Sequence, residues 1–78
     1  MNHAEYLVII SETESYVEKR MQAIELTGEL SVLISISTEN MELLIRNLIY
    51  TRVSKLNELD AEIRHLGENI LEKIRLRL

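Results

Sequence analysis

Leu56, Leu59, Ile63, Leu66 and Ile70 follow one another at steps of 3, 4, 3 and 4. On a helix of about 3.6 residues per turn that spacing draws one narrow apolar stripe, filling heptad positions a, d, a, d, a. A stripe of this kind is a helix–helix seam, so the chain must either contain or acquire the helix that covers it. Nothing in the composition interrupts a long helix: the 78 residues include no Pro and two Gly. An all-α fold is the expectation.

Size sharpens the demand for a partner. A chain this short buries only about 60% of its unfolded surface and is marginal without staples or oligomerisation. The absence of Cys removes disulfides and thiolate metal sites.

The rest of the sequence supplies one further helix and a turn. From about Ala4 the residues Leu7, Ile10, Val17, Met21 and Ile24 share a face, with Thr13 and Glu14 filling the gap. A competing start exists at Ser11-Glu12-Thr13-Glu14, which fits a capping box. Beyond Gly28, the octet Leu30 to Ser37 alternates as a strand would, yet Val32 and Ile36 continue the helical stripe. Gly28 is therefore read as a C-cap or as a point of close helix approach, with a helix continuing, kinked there, to about residue 34. Ser35 to Asn40 concentrates residues that compete for backbone hydrogen bonds, and Ser37 or Thr38 before Glu39 makes an N-cap. Then Met41, Leu44, Ile45, Leu48, Ile49 and Val53 form a broad stripe that narrows into the heptad seam.

The resulting expectation is a single domain over residues 1–78: helix about 4–34, turn about 35–40, helix about 40–77, folded as an antiparallel hairpin. The two arms carry opposite charge. Residues 1–42 hold eight acidic side chains against Lys19 and Arg20, and residues 43–78 hold seven basic against five acidic. A fold-back near residue 38 brings together positions whose numbers sum to about 76, pairing Glu12 with Arg64, Lys19 with Glu58, Glu25 with Arg52 and Glu29 with Arg46. A hairpin alone leaves Ile9, Leu26, Leu33, Leu43, Tyr50, Leu71, Leu76 and Leu78 off the main stripes, more apolar surface than a small monomer exposes. Assembly as a four-helix bundle or a coiled-coil dimer would cover it.

Motifs for chemistry are sparse. Glu62-Ile63-Arg64-His65 has the Glu-x-x-His spacing of carboxylate-bridged metal bundles, and Glu14 falls opposite Glu62 in the same register, which makes a di-metal carboxylate protein using Glu14, Glu62 and His65 one alternative. Glu62 and His65 occupy g and c, however, beside and away from the seam, where solvated charge is ordinary, so no metal and no cofactor are expected. Neither His3 nor His65 has a nucleophile beside it, and no Gly-rich loop exists to cradle phosphate. Arg64, Lys73, Arg75 and Arg77 support a second alternative, a small nucleic-acid-binding regulator. Against it stand Glu62, Glu68 and Glu72 among those residues, the missing aromatic platforms and a net charge of −4.

No run approaches the roughly 18 apolar residues of a membrane span, and the first five residues lack the basic start of a signal peptide; a soluble cytoplasmic protein is expected. The triplet Glu58-Leu59-Asp60 resembles part of the motif of small sporulation phosphatase inhibitors. The Ser-Gln that precedes it in that family is absent here, and no residue role carries over. The sequence thus points to a non-enzymatic protein–protein interaction module, serving as an adaptor, assembly factor or co-chaperone. It would pair with itself or with a partner's amphipathic helix through Leu44, Ile45, Leu48, Ile49, Val53, Leu56, Leu59, Ile63, Leu66 and Ile70.

Overall fold

The structure, a computed structural model, describes residues 2–37 and 41–77. It is a hairpin of two helices, α1 (His3–Ile36) and α2 (Glu42–Arg77), packed against each other along their length. At about 1.5 Å per residue, 34 and 36 residues give arms that fill a rod of 60 × 14 × 14 Å. Among the described residues, no helix is long and apolar enough to cross a membrane.

Local chemistry explains where the helices begin. Asn2 is the N-cap of α1: its side-chain oxygen accepts from the Glu5 amide at 2.8 Å, and its carbonyl accepts from Tyr6 N–H at 3.1 Å. The helix therefore starts ahead of the alternative capping box at Ser11. It also passes Gly28 without a break and runs to Ile36, two residues beyond the expected end. Gly28 has no positive φ and nothing within 4 Å of where a Cβ would stand, so it is neither a C-cap nor a point of close approach. The alternating octet is helical as far as Ile36: Leu30 and Leu33 are half-buried in the seam while Val32, Ile34 and Ile36 stay exposed, and none of the described residues forms a strand for it to pair with. Ser37 ends α1 rather than starting α2, whose first α-helical bond runs from Ile45 N–H to the Met41 carbonyl. The alternative N-cap Thr38, with Glu39 and Asn40, lies outside the described residues.

Two heptad stripes make the seam. On α2 the inward positions are Ile45, Ile49, Arg52, Leu56, Leu59, Ile63, Leu66, Ile70 and Lys73, with Leu59 only 1% exposed. On α1 they are Ile9, Glu12, Tyr16, Lys19, Ala23, Leu26, Leu30 and Leu33, every one buried or half-buried. This corrects the face expected for α1. Leu7, Ile10, Val17, Met21 and Ile24 are exposed, Ile24 by 68%, whereas Ile9, Leu26 and Leu33 turn inward. Two charges inside the true stripe disguise it, while the outward stripe is the greasier of the two.

The register differs as well. Lys19 meets Glu62 at 2.7 Å and Arg52 meets Glu29 at 2.9 Å, both at a sum of 81, and Lys73 pairs with Glu12 at a sum of 85. The four pairs expected at sums near 76 do not form; Arg46 instead takes Glu42 one turn back on its own helix. Exposed ion pairs contribute only about 0–1 kcal/mol each, so they adjust to whatever alignment the apolar layers set.

The Glu12–Lys73 layer is the weak point of the seam, because Glu12 Oε2 is buried without a hydrogen-bond partner. Lys73→Leu alone strands that carboxylate and is expected to cost about 1 kcal/mol, well below the 3–5 kcal/mol of a fully buried pair, since Lys73 is 39% exposed. The double variant Glu12→Leu/Lys73→Leu removes both the charge and the unmet acceptor and should equal or exceed the native stability in urea melts.

Candidate interaction surface

A two-helix seam has two long sides, and here they differ in kind. One side adjoins the inward residues through Ser15, Gln22 and Glu29 of α1 and Lys55, Glu62 and Asn69 of α2. The Lys19–Glu62 and Glu29–Arg52 pairs lie along it and bridge the helices. The Lys19 ammonium hydrogen-bonds the Glu62 carboxylate, and this bond, with the Lys19 charge behind it and a smaller contribution from Lys55, holds Glu62 below its ordinary pKa.

The opposite side is a shallow, mostly apolar groove. Near mid-rod it is a hollow of 340 Å³ whose lining includes Arg20, Ala23, Thr27, Leu56, Asp60 and Ile63. Closer to the chain ends follows a second, of 260 Å³, lined by Thr13, Tyr16, Gly67, Ile70 and Leu71. Its threonines act as apolar residues: Thr13 Oγ1 donates to the Ile9 carbonyl at 2.7 Å and Thr27 Oγ1 to the Ala23 carbonyl at 2.8 Å. With the hydroxyls satisfied by their own helix, the methyl groups are left for the groove. Gly67 faces the Tyr16 ring across this hollow, where a Cβ would stand 3.4 Å from it, at ordinary van der Waals contact. Hollows this open, at or below the low end of the roughly 300–1,000 Å³ typical of ligand sites, suit the side chains of another helix.

The ten residues expected at the interface divide by depth. Ile45, Leu59 and Ile63 are buried and Ile49, Leu56, Leu66 and Ile70 half-buried, all within the seam of one chain. Leu44, Leu48 and Val53 are exposed. Hydropathy patterning does not reveal the α1 side of the groove, namely Thr13, Tyr16, Arg20, Ala23 and Thr27, because the outward stripe of that helix is the more apolar one. The signal that finds them is the unbroken 3-4 spacing from Ile9 to Leu33 once Glu12 and Lys19 are admitted as members.

The residues of the two alternatives are dispersed. Glu62 is committed to Lys19, His65 lies 3.4 Å from Asn69 on its own helix, and no group of three or more metal-ligating side chains occurs among the described residues. Of the basic cluster, Lys73 turns inward to Glu12 while Arg75 stays exposed, and the Arg77 side chain lies outside the described set. Compared with protein-family models, curated proteins and solved structures, the chain matches none.

Because folding lowers the pKa of Glu62, the Lys19 contact contributes in full above the ordinary carboxylate range and is lost as pH falls through the folded value. A carboxyl-carbon NMR titration should show Glu62 moving to higher pH in Lys19→Met. An unchanged titration would mean that the two helices are aligned differently.

Proposed function

We infer that this chain is a non-enzymatic interaction module of the cytoplasm, which works by packing its groove side and outward α1 stripe against further helices, its own or a partner's. One quantity carries the reading. The hairpin exposes 6162 Å², whereas a compact protein of 9.1 kDa exposes about 4,900 Å². Large apolar side chains lie on this surface. Tyr6, Ile10, Val17 and Ile24 on α1, with Tyr50 and Leu71 on α2, are between 38% and 71% exposed, and contiguous patches of that kind mark association sites.

The mechanism is shape and apolar complementarity. Groove residues with small or back-bonded side chains admit the ridges of an incoming helix, and the charged side keeps the opposite edge in water. An adaptor, an assembly factor and a co-chaperone that shields another protein's amphipathic helix all use this same physics.

If association completes the core, stability depends on concentration by mass action. Thermal melts followed by circular dichroism should shift to higher temperature as the chain is concentrated a hundredfold through the micromolar range. A midpoint that does not move would count against the reading.

A further inference from the structure

Arg20 and Asp60 stand out in the groove. They are the charged residues among those lining its two hollows, they are opposite in sign, and they line the same hollow, so they share one level of the rod. That level is close to the middle of both helices, His3–Ile36 and Glu42–Arg77. Both side chains are exposed, and no ion pair joins either to a described residue. By heptad spacing this side also carries the exposed Tyr6 and Leu71 near the chain ends and Tyr50 and Val53 near the turn, together with Arg46, which is paired to Glu42 on its own helix.

We propose that the groove is occupied by a second copy of this chain, placed with its turn at the same end, so that Arg20 of each copy meets Asp60 of the other. The proposal rests on the interaction reading above and narrows it to one partner and one geometry. Two-fold symmetry allows two ways of laying groove on groove. With the turns at opposite ends, α1 lies over the α1 of its copy, which sets Arg20 on Arg20 and Asp60 on Asp60. With the turns together, α1 lies over the partner's α2, and the four charges alternate in sign around the dimer axis. Like charges in contact across an interface are penalised and opposite ones fix its register, so the second arrangement is selected.

The area agrees. Each hairpin carries roughly 1,200 Å² more surface than a compact chain of its mass, so two copies together would bury on the order of 2,400 Å², within the range of obligate homodimers. A second copy also has the one length that covers a 60 Å groove without overhang.

Charge exchange tests the pairing, read by light scattering on the full chain with circular dichroism to verify folding. Arg20→Asp and Asp60→Arg should each weaken dimerisation by about tenfold or more, and the double variant Arg20→Asp/Asp60→Arg should recover it. Geometry is read separately. The protein has no Cys, so a nitroxide on Ser37→Cys reports the distance between the two turns by pulsed electron paramagnetic resonance. A separation well under half of the 60 Å rod is expected. A wild-type dimer whose turns lie a rod length apart, or whose charge variants dimerise unchanged, overturns this geometry while leaving the interaction reading in place. A folded monomer at every concentration overturns both.

Discussion

A seam between two helices can cover one strip of each, and no more. In this hairpin those strips run almost the whole length of both helices, yet only Ile9, Ile45, Leu59 and Ile63 are buried among the described residues, and of these only Leu59 fully. The rest of each inward stripe is open to solvent at the seam's edges. Two long helices with one short turn therefore fold into a rod instead of a globule, with a radius of gyration of 17.6 Å against about 11.5 Å for a compact chain of this length. The exposed apolar surface follows from that shape.

Within the seam, polarity changes along the rod. Toward the turn the inward residues are Leu26, Leu30 and Leu33 of α1 and Ile45 and Ile49 of α2, with Arg52 among them paired to Glu29. Glu12, nearer the chain ends, and Lys19, at mid-helix, also lie in the α1 stripe, and their charges are answered by Lys73 and Glu62 from the other helix. Charges in these positions cost stability relative to apolar residues, and their pairing follows the alignment that the apolar layers set. The Lys19–Glu62 and Glu29–Arg52 pairs crowd one side of the seam, and the opposite side is the mostly apolar groove.

Much of this was legible beforehand. The hairpin, its all-helical character and the α2 seam follow from uninterrupted helical composition and a strict heptad from Leu56 to Ile70. The α1 face was not legible by hydropathy, because its outward stripe of Leu7, Ile10, Val17, Met21 and Ile24 is more apolar than the inward one that holds Glu12 and Lys19. The alignment departs from charge matching for a different reason: surface ion pairs are too weak to outvote apolar layers. The groove was invisible because it depends on which small residues, Gly67, Ala23, Thr13 and Thr27, fall along one edge, and that is settled only once both stripes are placed.

Sedimentation equilibrium of the intact chain across the micromolar range bears most directly on the idea that one hairpin is half of a structure. Mass should rise with concentration toward twice the 9.1 kDa of a single chain. A well-folded species that stays at 9.1 kDa at every concentration would contradict it.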